Sequence, residues 1–188
     1  VRKGYYFDGS NDYINVPKST DFDFGTSSWT VEMWVYWENG SNSHEHIWAW
    51  GANTSGFLLD SVHIVATNTQ KLEILQYNDS GSPSSNLTTN NNTFLQDQWN
   101  HLAVVYNGSV LKVYVNGSEA GSLTVSLGSI DYSSNANTRM TFGARYYPPG
   151  GGAGGYDSHF EGYISDIRIS KGNARYTADF DELVTTKD

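Results

Sequence analysis

The sequence predicts an all-β protein built as a sandwich, or jelly roll, of two antiparallel sheets. Short apolar segments recur roughly every 8–12 residues with turn signals between them, the spacing typical of such folds. Asn, Ser, Thr and Gly dominate between these segments, a composition that favours turns over helices. The 188 residues are 14% aromatic, which argues against disorder and supplies enough bulk for the core of one domain.

The strand with the clearest pattern is Trp29–Trp37. Its residues alternate between two faces, one carrying Trp29, Val31, Met33, Val35 and Trp37 and the other Thr30, Glu32, Trp34 and Tyr36. Residues 46–50, 56–59, 62–67 and 72–77 predict further short strands.

Two turn sequences organise the middle of the chain. Residues 101–106 and 110–115 flank Asn107-Gly108-Ser109, and Asn116-Gly117 leads into a strand at 119–125. Asn-Gly between apolar runs is a strong hairpin signal because both residues tolerate positive φ. Residues 139–145 and 160–169 complete the strands, and 177–183 is the best candidate for a turn of helix.

Three polar stretches predict loops that could contact a ligand: residues 40–45, 78–92 and 148–156. The last begins Pro-Pro-Gly-Gly-Gly-Ala-Gly-Gly, which cannot form a regular ladder. It is bracketed by Tyr146, Tyr147 and Tyr156.

Charge and composition exclude several partners. Eleven basic against twenty acidic residues give a formal net charge of −9, which disfavours nucleic acids and anionic membranes. Cysteine is absent, which removes disulfides, zinc-thiolate sites and a cysteine nucleophile. No apolar run is long enough to predict membrane insertion. Neutral sugars and cations remain as ligands.

The order of several motifs carries a resemblance. Residues 6–14 (Tyr-Phe-Asp-Gly-Ser-Asn-Asp-Tyr-Ile) come first, followed by residues 29–35, by the hairpin 99–106 with 111–117, by Phe142-Gly143, and by residues 162–169. This order resembles the concanavalin A-like, laminin-G-like jelly-roll domains over about 170 residues. The resemblance implies a single domain over residues 1–188, with 170–188 as a C-terminal wrap-around segment. Residues 170–180 look like the ending of such domains in bacteriophage tail fibres and capsid decorations.

The resemblance also implies glycan or protein binding and often a structural calcium. Because the first and last strands of such domains lie close together, we expect Asp8, Gly9 and Asp12 to approach Asp166, with Asn107 as a further ligand. Carboxylate and carbonyl oxygens are the ligands that Ca²⁺ prefers. The alternative is that Asp8 and Asp12 cap turns. Asp166 lies within a predicted strand, where an unpaired carboxylate is costly to bury.

Sugar binding is predicted from aromatic residues, because a pyranose ring stacks its apolar face on Trp or Tyr. The candidates are Trp34, Tyr36, Trp48, Trp50, Tyr146, Tyr147 and Tyr156. Core packing is the alternative and is favoured for Trp34 and Trp99. The tyrosines beside the glycine-rich loop favour binding, with sugar or protein left open as the ligand.

Catalysis is not expected. Glucanases of the superfamily that this chain resembles carry two glutamates and an aspartate close together on one strand. Retaining hydrolysis needs two carboxylates in such proximity. Glu32 and Glu45 each stand alone on their segments, and no nucleophile elbow or phosphate-binding loop occurs.

The sequence therefore predicts a non-catalytic recognition module on a phage virion surface, or otherwise extracellular, that binds a host-surface glycan. The alternative is a structural virion protein, a capsid decoration or fibre-assembly domain, whose partner is protein. A secreted cellular adhesion domain is a weaker third hypothesis, and a homo-oligomer is compatible with each.

Overall fold

The strands form two large antiparallel sheets and a small ribbon. The computed structural model describes residues 2–38, 44–52, 59–77, 83–127, 139–147 and 154–181. Sheet A has, in spatial order, β1 (Tyr5–Asp8), β14 (Glu161–Lys171), β3 (Trp29–Trp37), β8 (Trp99–Tyr106), β9 (Val110–Val115) and β10 (Ser118–Thr124). Sheet B has β2 (Ile14–Val16), β11 (Arg139–Phe142), β4 (His44–Ala52), β5 (Leu59–Thr67), β6 (Lys71–Tyr77) and β7 (Pro83–Thr88). The ribbon pairs β12 (Arg145–Tyr147) with β13 (Gly155–Asp157). The predicted fold class is confirmed.

The core lies between the inner faces of the two sheets. The alternation predicted for β3 is confirmed, since the side chains from Trp29 to Trp37 on its inner face are fully buried. Trp48 and Trp50 meet them from β4, each 0% exposed and with ring centroids 6.0 and 6.2 Å from that of Trp29.

The prediction that Trp48 and Trp50 bind ligand is therefore wrong. They do share a face of their strand, but that face points at sheet A, and burial of such large apolar rings is a main contribution to the core.

Two local predictions are corrected. The stretch predicted as a loop at 78–92 contains β7, which pairs with β6. Leu87 is buried while Asn86 and Thr88 are exposed, so an edge strand with one apolar side chain was mistaken for a loop. No helix forms at 177–181, and a short 3₁₀ turn at Thr20–Phe22 is present instead. The ends of the other two predicted loops are strand as well, since residues 44–45 begin β4 and residues 155–156 belong to β13. Residues 40–43, 78–82 and 148–153 of the predicted loops lie outside the described residues, as does 182–183.

Residues 172–181, called the C-terminal segment below, lie on the outer face of sheet A. Ala174, Tyr176 and Phe180 pack against Tyr114 and its buried neighbours on β8. The Phe180 backbone N–H donates to the Gly117 carbonyl at 2.9 Å. The C-terminal segment thus covers part of a face that would otherwise be open to solvent.

Within the described ranges, no helix has the length and apolar character needed to cross a membrane.

Candidate functional site

Four aromatic side chains occupy one level of the outer face of sheet A, on four neighbouring strands. Tyr6 of β1 is paired in register with Tyr163 of β14, Tyr163 with Tyr36 of β3, and Tyr36 with Trp99 of β8. Directly opposed residues in antiparallel strands project to the same face, so the four rings lie side by side. We call these four residues the aromatic row.

The rings form a cup rather than a flat platform. Tyr36 lies 5.9 Å from Tyr163 and 5.7 Å from Trp99, while Trp99 and Tyr163 are themselves only 6.3 Å apart (centroid distances). The plane of Tyr36 is steeply inclined to both, at 84° and 65°. Such edge-to-face contacts are favourable and hold the rings in fixed orientations. Tyr6 extends the cup at the sheet edge, with 49% of its surface exposed.

A glycine permits this close strand pairing. Gly162 lies between two outward-facing residues of β14 and has a φ of +139°. A Cβ at this position would lie 2.1 Å from the carbonyl oxygen of Tyr36. Any other residue would therefore push β14 away from β3 and separate Tyr163 from Tyr36.

A groove of about 540 Å³ lies over the aromatic row. Its lining consists of Arg2, Lys3, Gly4, Tyr36, Glu38, Trp99 and Tyr163. The volume falls within the range of small-molecule binding sites, and aromatic walls with a few charged groups are typical of them.

One wall of the groove is the chain that precedes β1. The Arg2 guanidinium lies 3.9 Å from the ring centroid of Trp34 and forms an ion pair with Asp166. A Cβ on Gly4 would lie 2.9 Å from both Trp99 Cη2 and the Ile164 carbonyl oxygen, so the backbone here rests directly on the ring. Trp34 is therefore half-buried beneath Arg2 and does not line the groove.

The opposite end of the groove is acidic. Next to the aromatic row, the same four strands or their ends carry Asp8, Glu161, Glu38 and Asp97, which we call the acidic row. The Glu38 N–H donates to the Glu161 carbonyl at 3.1 Å, and the Asp97 N–H donates to the Trp37 carbonyl at 3.0 Å. Burial, followed by the charges of Glu161 and Asp97, raises the pKa of Glu38.

Sequence reasoning found only part of this site. Trp34 and Tyr36 share the outer face of β3 as predicted, and Tyr36 lines the groove. Tyr6 and Tyr163 were missed, and core packing was favoured for Trp99, which is half-buried. The available signal was the alternation of each strand, but only the cross-strand register shows that these rings meet.

The predicted tyrosines form a second aromatic surface. Tyr146 and Tyr156 are paired across the β12–β13 ribbon with ring centroids 5.3 Å apart, and Tyr156 stacks on Tyr13 at 3.7 Å. The Arg139 guanidinium lies 4.7 Å from the Tyr146 ring, and Tyr147 is 39% exposed. We call Tyr13, Tyr146 and Tyr156 the tyrosine patch. Tyr147 follows Tyr146 on β12 and therefore projects from the opposite face of the ribbon. A ligand for the tyrosine patch or for Tyr147 stays a prediction.

The predicted calcium ligands do not converge. Asp8 pairs with Glu161 at one end of β14, and Asp166 lies five residues further along, about 16 Å away. Asn107 follows the end of β8 that pairs with Trp29, towards the other end of sheet A. Asp166 lies within a strand as predicted, but it is exposed at an irregularity of β14 with a φ of +51°, so the expected cost of burying its carboxylate does not arise.

Turn capping explains several of these side chains. The Asp8 carboxylate accepts from the N–H of Ser10 at 2.8 Å, and the Asp12 carboxylate accepts from the Asp8 N–H at 3.1 Å, around Gly9. Asn107 Oδ1 accepts from the Val110 N–H at 2.8 Å. Among the described residues, no three His, Cys, Asp or Glu side chains are grouped so as to hold a metal. A structural calcium stays a prediction, but the five residues proposed to bind it do not surround a single point.

Glu32 has a structural environment. It is 2% exposed, and its carboxylate contacts His101, Arg168, Tyr176 and Arg175, the last two from the C-terminal segment. Burial alone would raise the pKa of Glu32, but hydrogen bonds from His101, Arg168 and Tyr176 outweigh it and lower the pKa to about 2. Glu32 therefore fastens the C-terminal segment to sheet A.

Comparisons with known proteins agree with this architecture. A family model described as the concanavalin A-like lectin/glucanases superfamily matches residues 8–175. None of the curated proteins matches the sequence.

Many solved structures are similar, and three of them represent the range. The CBM40 domain of the Ruminococcus gnavus IT-sialidase bound to α2,3-sialyllactose shares 14% identity at a TM-score of 0.73, covering 94% of this chain and 92% of that one. Domain 4 of an extracellular arabinanase from Geobacillus stearothermophilus, in complex with arabinotriose, shares 24% identity at a TM-score of 0.55, and the match covers 89% of this chain and 69% of that one. A heptameric SAP-like pentraxin from Limulus polyphemus shares 16% identity at a TM-score of 0.58, and the match covers 87% of this chain and 73% of that one. At these identities the likeness establishes the fold alone.

Proposed function

Because the chain belongs to the concanavalin A-like lectin/glucanase superfamily, we propose that it is a non-catalytic glycan-binding domain whose site is the groove over the aromatic row. The observation that carries the proposal is the cup formed by Tyr36, Trp99 and Tyr163 within a groove of about 540 Å³. A sugar presents an apolar face to such rings and hydroxyls to the polar rim. Glu38 accepts hydrogen bonds from hydroxyls, and Lys3 donates them.

The carboxylates argue against hydrolysis. Glycoside hydrolysis needs two carboxyl groups flanking the scissile bond. Of the described residues that line the groove, Glu38 is the one carboxylate, and the opposite wall is Arg2, Lys3 and Gly4. Glu45 is buried and accepts from Trp37 Nε1 and the Glu161 N–H, each at 3.0 Å, so it has a structural role like that of Glu32.

Two of the similar structures support the ligand class. The CBM40 domain and the arabinanase domain are each described with a bound saccharide. They indicate that this architecture can present a sugar site, while the position of the site in this chain is argued from the aromatic row.

The biological setting is proposed from the C-terminal resemblance. The likeness of residues 170–180 to endings found in phage structural proteins supports a place on a virion surface, or otherwise outside a cell, with a host-surface glycan as the partner. The alternative is a structural virion role with a protein partner or a second copy of the chain. The tyrosine patch favours that alternative, because Tyr13 remains 41% exposed although it stacks on Tyr156.

The test is a glycan array with the purified domain, with and without Ca²⁺, followed by titration of the glycan that binds. Replacing Tyr36 or Trp99 by alanine should weaken binding about fivefold or more, because stacking of a sugar on each ring supplies ~1 kcal/mol. Tyr5→Ala is the matched control, since Tyr5 is a 73% exposed tyrosine of the neighbouring β1 that does not line the groove. A melting curve of each variant checks that it is folded.

Three results would contradict the proposal. A blank array in both conditions would shift the function to protein binding, which the tyrosine patch would mediate. Loss of binding by Tyr13→Ala but not by Trp99→Ala would place the sugar on the tyrosine patch. Release of reducing ends from the bound glycan would show an enzyme.

A further inference from the structure

Glu38 occupies a distinctive position in the groove. It follows β3 two residues after Tyr36, so both side chains lie on the outer face of sheet A. Among the described residues, it is the acidic member of the groove lining. A ligand seated on Tyr36 therefore lies within reach of this carboxylate.

The acidic row strengthens the negative potential at Glu38. Glu161 of β14 and Asp97, which precedes β8, act on it by charge, and Asp8 lies opposite Glu161 on the edge strand. The pKa of Asp8 is lowered, chiefly by hydrogen bonds from the N–H groups of Ser10 and Asn11, so that carboxylate keeps its charge. The titratable and charged groups around Glu38 are Asp8 and Tyr6 on the β1 side, Glu161 and Tyr163 on β14, Tyr36 on β3, Asp97 before β8, and Arg2 with Lys3 across the groove.

Of the two cations among the described residues that line the groove, Arg2 is held away from Glu38. Arg2 covers Trp34, four residues from Glu38 along β3 and thus about 13 Å away. Its guanidinium already has an ion-pair partner in Asp166. Lys3 also lines the groove, with its ammonium group open to solvent, which screens its charge. The four carboxylates of the acidic row outnumber this one exposed cation, so the potential next to the aromatic cup is negative on the Glu38 side.

We infer that Glu38 determines the charge specificity of the groove, which accepts neutral and amino-bearing sugars and rejects sugars that carry a carboxylate. An ammonium group beside Glu38 gains an ion pair close to aromatic rings that also attract cations. A carboxylate in the same place meets like charge that the aromatic row cannot screen. The inference rests on the proposed function and sets this chain apart from the CBM40 domain described with sialyllactose, an acidic sugar.

The experiment is an array of matched triplets. Oligosaccharides of gluco, galacto and manno configuration are each printed with a terminal sugar that is neutral, a uronic acid or a 2-amino sugar. Wild type, Glu38→Gln and Asp21→Asn are compared at low salt. Asp21→Asn removes the same charge from an exposed residue beside Thr20, whose carbonyl accepts from Lys171 at the far end of β14.

Within the triplet that binds, the amino form is expected to bind best and the uronic form least. Glu38→Gln should narrow the ratio between the amino and uronic forms about two- to fivefold, the range for one exposed charge pair, while Asp21→Asn leaves it unchanged. Added salt should narrow the wild-type ratio in the same direction.

The possible failures are distinguishable. If the uronic form binds as well as the neutral form, or if Glu38→Gln leaves the ratio unaltered, this inference is overturned while glycan binding stands. If no triplet binds, the proposed function fails and the inference fails with it. The ratio should also fall on acidification, and it should begin to fall at a higher pH than the titration of an ordinary glutamate would give, because burial and the neighbouring carboxylates raise the pKa of Glu38. If the ratio of amino-form to uronic-form binding does not change with pH in the wild type, Glu38 does not determine the charge specificity.

Discussion

Replacing Glu32 by glutamine is expected to lower the free energy of unfolding by about 3 kcal/mol at pH 7. The pKa of Glu32 is about 2 in the folded protein, against about 4.3 for a glutamate in an unfolded chain. Each unit of this difference is worth about 1.4 kcal/mol of preferential stabilisation of the folded state. Glutamine keeps the size of the side chain, but its amide N–H groups face the donors of His101, Arg168 and Tyr176.

The assay is equilibrium unfolding in urea at pH 7 and pH 3. Glu119→Gln is the matched control, since Glu119 is paired with Lys112 at 2.7 Å on the surface, where such pairs contribute less than about 1 kcal/mol. The C-terminal segment gives a second readout. Loss of Glu32 should make residues 172–181 exchange amide hydrogens faster than the strands beneath them.

The pH dependence has a defined sign. The folded-state pKa of Glu32 is depressed, so its contribution is fully present above the unfolded-state pKa near 4.3 and is lost as the pH falls towards 2. The difference between wild type and Glu32→Gln should therefore shrink by about 2 kcal/mol between pH 7 and pH 3. A difference below about 1 kcal/mol at pH 7, or the same difference at both pH values, would refute the reasoning.

Three further predictions concern the core, the acidic row and calcium. Trp50→Ala should lower the free energy of unfolding by about 3–5 kcal/mol, because Trp50 is fully buried. Trp99→Ala should lower it by clearly less, because Trp99 is half-buried. Equal losses in denaturant unfolding would contradict the placement of Trp50 in the core and of Trp99 at the surface. Glu38→Gln should raise the melting temperature by about 1 °C, because it relieves repulsion between like charges. A lower melting temperature in calorimetry would contradict the claim that the other carboxylates of the acidic row repel Glu38. If a structural calcium is present, chelator should lower the melting temperature and added Ca²⁺ restore it, whereas an unchanged melt would exclude the predicted ion.

Alternation with a period of two predicted the faces of β3 correctly, because its inner face carries only apolar side chains while its outer face includes Thr30 and Glu32. The Asn116-Gly117 turn was equally readable, since both residues adopt the positive φ that the short hairpin between β9 and β10 requires. Local sequence fails where the strand lies at an edge. The strand β7 carries mainly polar residues, and nothing within it reveals the neighbour with which it pairs.

The candidate site depended on contacts that no single segment contains. Trp50 and Trp99 each lie in an alternating strand, and alternation alone does not say which face is buried. One meets the opposite sheet, and the other meets Tyr36 at the surface. The predicted set of calcium ligands does not come together for a related reason. Pairing of the first and last strands was correct, but register places Asp8 opposite Glu161 rather than Asp166.

The outer face of β3 explains why the groove lies where it does. Thr30 and Glu32 are bound by the C-terminal segment, through the Asn173 carbonyl at 2.9 Å from Thr30 Oγ1 and through Arg175 at 3.4 Å from Glu32. Trp34, the next residue on this face, is covered by Arg2. Beyond it, Tyr36 and then Glu38 line the groove. Residues 2–4 and the C-terminal segment therefore divide one continuous sheet face, and the aromatic row is the part that they leave accessible. Because Glu32 holds one boundary, its replacement is expected to affect sugar binding only indirectly, whereas a change at Tyr36 acts on the ligand itself.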